Sequence, residues 1–165
     1  MAASGGEVAD DPILGAVVAV AASAKVTVSR AGPVQLVVEV GREDYVALVE
    51  AARAGGFETF IDLCGVDHVA REPRFDVVVN LLSTQHIRRL LIKVGVPNED
   101  PSLPSISMVY PGANFYERET WDMFGIVFDG HPDLTRLLMP DEWDGHPLRK
   151  DYRIGSVPVE FKATR

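Results

Sequence analysis

The sequence predicts an α+β domain: a mostly antiparallel sheet covered by helices, followed by an irregular C-terminal extension. Three observations predict it. Strand-like runs follow one another while the helical runs stand apart, the pattern of segregated layers rather than of alternating βαβ units. The links at 71–74 and 84–86 are only a few residues long. Parallel neighbours would need a crossover of about a dozen residues, so the strands joined here are expected to run antiparallel. After Gly125 the hydrophobic periodicity fades and turn residues take over.

The 165 residues divide into a disordered stretch at 1–10, a single α+β domain at 11–140 and an extended partner-binding segment at 141–165. Residues 13–24 (ILGAVVAVAASA) form a short buried helix, capped by Asp11 with Pro12 in its first turn. That run is shorter than the roughly 20 residues a bilayer crossing needs. The flank before it carries Glu7, Asp10 and Asp11 where a signal peptide would be basic. Membrane association is therefore expected only through partners. Residues 25–30 alternate around Val26 and Val28, residues 34–40 are rich in β-branched residues, and Ala31-Gly32-Pro33 between them is a turn signal, so the pair reads as a hairpin. Tyr45, Leu48, Val49 and Ala52 repeat at helical spacing within 42–54, and Gly55-Gly56 stops that helix.

Residues 57–69 read as a strand, 71–73 as a turn, 75–83 (FDVVVNLLS) as the strongest strand and 87–94 as another. The prolines in 97–104 predict irregular loop, and 106–109 a brief extended piece before Pro111-Gly112. Residues 113–124 return to helix, with Phe115, Tyr116, Glu119 and Met123 on one face.

A net charge of −8 and a pI near 4.9 argue against nucleic acid as a partner, because that binding rests on basic surface. Arg149, Lys150 and Arg153 make only a small basic patch. The single cysteine, Cys64, allows no internal disulfide and is expected as a small core residue. One thiolate cannot hold an iron–sulfur cluster, which usually takes four. No GxGxxG, GxxxxGK[ST] or GxSxG occurs, so neither a nucleotide loop nor a hydrolase elbow is indicated.

Polar chemistry concentrates in residues 114–151, NFYERETWDMFGIVFDGHPDLTRLLMPDEWDGHPLRKD. Arg118 and Asp122 are i,i+4 on the helix, Glu119 and Asp122 i,i+3. Two acids on one face could exchange protons. With no nucleophile beside them, an ion-pair network that includes Glu117 fits better. His131 and His146 each stand between Gly and Pro; with Glu119, Asp122 and Asp133 they could ligate a metal. The i,i+4 histidine spacing of zinc helices is missing, so hydrogen-bonding turn residues fit better. A free-standing metal-dependent hydrolase is the rival reading. Trp143, Leu148 and Arg149 are residue types that anchor interfaces.

The order and spacing of NFYERETWDMFGIVF and GHPDLTRLLMPDEWDGHPLRKDY resemble the C subunit of respiratory complex I, the NADH:quinone oxidoreductase. The likeness covers most of 57–154 and departs at Thr135, where many members carry arginine. The resemblance implies a cofactor-free scaffold in the hydrophilic arm, with FMN and iron–sulfur clusters in partner subunits. It implies packing against the homologue of the D subunit, near the homologues of the B and I subunits. It places the chain on the cytoplasmic side of the cell membrane, peripheral, in a complex that passes electrons from NADH to quinone and pumps protons. The isolated chain is expected to have no activity. Glu117, Arg118, Glu119, Asp122 and Gly125 would then be fold-defining or interface residues, with His131, Pro132, Asp133 and Arg136. Trp143, His146, Pro147, Leu148, Arg149, Lys150 and Asp151 complete that set. Energy-converting membrane-bound hydrogenases and coenzyme F420-type dehydrogenases use a homologous subunit and are the nearer alternatives.

Overall fold

A computed structural model describes residues 15–17, 19–21, 29–32 and 35–153. The expectations for 1–10, the Asp11-Pro12 helix start, residues 25–28 and residues 154–165 lie outside them.

The elements in chain order are β1 (Ser29–Gly32), β2 (Gln35–Val40), a 3-10 turn (Arg42–Asp44) leading into α1 (Tyr45–Ala54), β3 (Thr59–Asp67), β4 (Phe75–Ser83), β5 (Arg88–Val96), β6 (Ser102–Pro104), α2 (Ala113–Phe124) and β7 (Val127–Asp129). The five-stranded sheet has the order β1-β2-β5-β4-β3. The pairs β1–β2, β3–β4 and β4–β5 are antiparallel, as the short links require. Only β2–β5 is parallel, and the chain between them carries α1 and the β3–β4 hairpin, long enough for a crossover.

Alternation builds the core. Val77, Val79 and Leu81 of β4 and Leu90, Ile92 and Val94 of β5 are fully buried, and Tyr45, Leu48, Val49 and Ala52 of α1 join the same cluster. Burying each of the larger aliphatic side chains contributes roughly 1.5–3 kcal/mol, so this face decides the sheet register. Residues 15–17 are helical, and Val17 and Ala21 reach the same core. Among the described residues no helix is long and apolar enough to cross a membrane.

Three expectations need correction. The loop at 97–104 contains β6, which pairs in parallel with β7. Pro104 ends the short strand, where its missing N–H costs least. Hydrogen bonds from Val127 N–H to Pro101 O (2.8 Å) and from Ser105 N–H to Asp129 O (2.8 Å) close the pair. Residues 106–109 are a turn, not an extended piece. Val109 N–H (2.9 Å) and Tyr110 N–H (2.8 Å) both donate to Ile106 O, which lets Ile106 and Tyr110 enter the core. Cys64 is exposed, because it lies on the edge strand β3 at the position alternating with buried Leu63.

Ile87 holds a left-handed φ of 51° while 75 % exposed. A β-branched residue there costs about 1–3 kcal/mol, and no burial offsets it. Ile87→Asn is expected to raise stability by about 1 kcal/mol, a gain of roughly 2–4 °C in Tm for a domain of this size. Thermal unfolding measures it; an unchanged or lower Tm contradicts the strain.

Candidate functional site

The motif residues converge on the second half of α2. A helix leaves its last four carbonyls without partners. Here Gly125 N–H donates to Trp121 O at 2.7 Å with the glycine in the left-handed conformation, φ 73°. The other three carbonyls are met by the GHPLR segment. His146 Nδ1–H donates to Asp122 O (3.0 Å), Leu148 N–H to Met123 O (3.0 Å) and Arg149 Nε–H to Phe124 O. A Cβ on Gly125 would sit 2.5 Å from the His146 ring, so glycine is required there by space as well as by φ.

Asp122, fully buried, is the second hub. Its Oδ2 accepts from the backbone N–H groups of Leu137 (3.0 Å), Leu138 (2.8 Å) and Met139 (2.9 Å), and its Oδ1 from Arg136 (2.6 Å). Burial would raise this carboxyl, but those amides and Arg136 outweigh it and hold the group below its ordinary value. Arg136 also donates to the carbonyls of Trp143 (2.7 Å) and Gly145 (3.3 Å). The expected Arg118–Asp122 pair does not form. Asp122 turns under the row of amides, and Arg118 reaches Thr135 O (3.1 Å), Thr135 Oγ1 (2.9 Å) and Arg136 O (3.1 Å) instead.

A third hub was not anticipated. Arg74, 8 % exposed, spends all five guanidinium donors. Two go to Asp67 (2.9 and 2.8 Å), two to Asp151 (2.9 and 2.7 Å) and one to Asn98 (3.0 Å). Lys150 N–H adds a bond to Asp67 Oδ2 at 2.9 Å, and Phe75 stacks under both Arg74 and Arg149. Hydrogen bonding from Arg74 holds Asp67 well below the carboxylate range and lowers Asp151 as well. Of the Arg74 partners the motif includes only Asp151; the signal for Arg74 in the sequence is an arginine abutting the most apolar strand.

Glu117 differs from the other buried acids. It is fully buried and accepts Ser105 Oγ–H (2.6 Å) and Ile106 N–H (2.7 Å), with no arginine or lysine beside it. Burial pushes its carboxyl from 4.5 up to about 7. His131 approaches Glu117 at 3.9 Å; its Nδ1 accepts Asp133 N–H (3.0 Å), so its Nε2 carries the hydrogen, directed to Asn114 O (3.1 Å).

With its two ring nitrogens engaged in this way, His131 is not poised as a ligand, and His146 is turned to a helix carbonyl. Burial first, then the charges of Arg149 and Arg136, lower the His146 pKa. Among the described residues no three metal-ligating side chains cluster. Glu119 and Asp122 are no acid–base pair either, one exposed and the other sealed. Glu119, Asp133 and Lys150 have exposed side chains with no hydrogen bond or ion pair among the described residues, and Pro132 and Leu148 are exposed. Trp143 and Pro147 are half-buried. Leu137 (38 %), Leu138 (60 %) and Leu148 (54 %) point outward from the backbone stations tied to α2.

Removing Asp122 strands Arg136 and three amides. Asp122→Ala is expected to cost about 3–5 kcal/mol in chemical denaturation, well above a typical point substitution; a loss below about 1 kcal/mol contradicts its role as a hub. Glu117 gives the opposite pH dependence to the aspartates. Its folded pKa lies above the unfolded one, so between about 4.5 and 7 the folded chain keeps a proton that the unfolded chain releases. Its contribution therefore falls as pH rises through that window, by up to roughly 3 kcal/mol. Glu117→Gln should flatten that part of the stability–pH curve, and parallel curves for the two proteins would refute it.

Residues 38–157 match the family described as respiratory-chain NADH dehydrogenase, 30 Kd subunit. A relative from Roseiflexus castenholzii, named as the C subunit of NADH-quinone oxidoreductase, is 58 % identical over 100 residues, 61 % of this chain and 58 % of its own length. The matched part thus spans well under two thirds of that relative. A trypsin-resistant fragment of Nqo5 superposes with a TM-score of 0.66 at 36 % identity, covering 74 % of this chain and 99 % of the fragment. A chain of the membrane-bound sulfane sulfur reductase, an archaeal respiratory membrane complex, shares the fold at TM-score 0.76 and 18 % identity over 94 % and 96 % of the two chains. With its motif residues gathered on α2 and the family match running over most of its length, the chain belongs to the 30 Kd subunit family of respiratory-chain NADH dehydrogenase.

Proposed function

We propose that this chain is the cofactor-free scaffold subunit of the hydrophilic arm of a proton-pumping NADH:quinone oxidoreductase. It packs against the homologue of the D subunit, near the homologues of the B and I subunits, and reaches the cytoplasmic face of the cell membrane through them. FMN and the iron–sulfur clusters belong to partner subunits, which carry electrons from NADH to quinone. The isolated chain turns nothing over.

One observation supports this reading best. The buried polar groups of the motif are spent on folding the C-terminal segment onto α2. What remains outward is interface material: Leu137, Leu138 and Leu148, with Glu119 and Lys150 as unpaired charges among the described residues.

Tagged chain recovered from membranes is expected to bring the D, B and I homologues and an FMN-containing NADH module. Recovery with a nickel–iron protein favours the hydrogenase alternative, and recovery alone with hydrolytic turnover overturns the scaffold role. Glu119→Ala sharpens the test. An exposed, unpaired carboxylate should change chain stability by no more than about 0.5 kcal/mol. Its loss is nonetheless expected to lower the yield of assembled complex on native gels. Normal assembly with lost turnover contradicts the proposal.

A further inference from the structure

Among the described residues the buried acids divide into two kinds. Asp67 has Arg74 and Asp122 has Arg136. Glu117, equally buried, is bonded by a hydroxyl and an amide and approached by an imidazole, with no arginine or lysine paired to it among the described residues. A carboxyl sealed from water without a cation is costly in its ionised form, so it changes protonation state more readily than its paired neighbours.

Glu117 is also joined to a row of hydroxyls. Ser105 Oγ lies 2.6 Å from Glu117 Oε2, and Ser107 Oγ lies 2.8 Å from Ser105 Oγ. Ser107 keeps 8 % exposure, whereas Glu117 has none. The two hydroxyls form an unbroken row, and each can accept one hydrogen while giving up another. Ser107 N–H braces the row by donating to Ser105 Oγ at 3.2 Å, and Ile106 N–H holds Oε1 in either protonation state. At the inner end His131 Nε2 stands 3.9 Å from Oε2. From α1, Tyr45 presents a buried hydroxyl with no hydrogen-bond partner, close enough to feel the charge of Glu117. The groups facing the carboxyl are therefore Tyr45 from α1, Ser105, Ile106 and Ser107 from the turn after β6, and His131 from the segment after β7.

We propose that Ser107, Ser105 and Glu117 form a proton relay, with Glu117 as an internal proton-binding site filled and emptied through the two hydroxyls. A proton arriving at Ser107 Oγ displaces that hydroxyl's own hydrogen to Ser105 Oγ, and Ser105 passes its hydrogen to Glu117 Oε2. One proton enters, one O–H bond forms on Glu117, and both serines end with one hydrogen each. The row then points outward, from Glu117 O–H to Ser105 and from Ser105 to Ser107. Release runs the same steps backward.

The full chain, labelled with 13C at glutamate carboxyl carbons, tests this by NMR over pH about 4–9, a range that brackets ordinary and buried carboxyls. The Glu117 carbon is the signal missing from Glu117→Gln. It is expected to titrate as a single full step at higher pH than the exposed glutamates. Ser107→Ala leaves the first contacts of Glu117 intact, so folding is preserved. It should slow proton exchange at the titration midpoint by about tenfold or more, as removal of a positioned proton-transfer group does. Ser105→Ala should do the same, and Tyr45→Phe should exchange at the parent rate. A Glu117 carbon that stays ionised throughout overturns the binding site. Unchanged exchange in Ser107→Ala, or slowing in Tyr45→Phe instead, overturns the relay.

Discussion

The end of α2 sets a demand that the rest of the C-terminal region is built to meet. Four carbonyls point out of the helix, and one is answered locally by Gly125. The other three face protein, where an unmet acceptor costs about 1–3 kcal/mol. A side chain, an amide and a guanidinium from 146–149 meet them in order. Each donor is of a different kind because the chain passes the helix end without being a strand or helix itself. The proline after His146 suits that passage, since it favours an extended backbone at the residue before it.

The same logic orders the charges. Asp122 accepts three successive amides of 137–139 on one oxygen, and Arg136 balances its charge. Asp67 and Asp151 share Arg74 and so tie 150–151 to the β3–β4 hairpin. A buried pair of this sort adds less net stability than its Coulomb energy suggests, but losing one member is severe. These clamps therefore fix one arrangement more than they deepen the well. Glu117 stands outside the scheme. Its partners are neutral donors, and its charge is the variable one.

Periodicity made the sheet legible. The apolar run at 75–83 and the short links at 71–74 and 84–86 were enough to place β3, β4 and β5 antiparallel. The β2–β5 pairing could not be read, because it depends on which edge of the finished hairpin is left open. The β6–β7 pair was hidden for a similar reason: two three-residue strands carry no periodic signal and gain it only from each other. In the site, Asp122 and Arg136 were legible as important, but their partnership was not. Helical spacing favoured Arg118, and the competing amides of 137–139 exist only once the chain folds back. Arg74 and Ser105 were missed because ordinary residue types in strand-flanking turns carry no local signature.

The density of polar residues in 114–151 now has a physical account that is distinct from catalysis. From 130 to 153 the chain contains no helix or strand, so its amides and carbonyls have no ladder to join. Such a segment stays ordered against a helix only if side chains supply the missing partners at fixed intervals. That requirement by itself calls for acids, arginines, histidines and glycines at these spacings. It also holds Leu137, Leu138 and Leu148 outward on a backbone that is pinned from beneath. A surface held this way loses little conformational entropy on association. A segment without a core of its own is thereby held as a preformed surface.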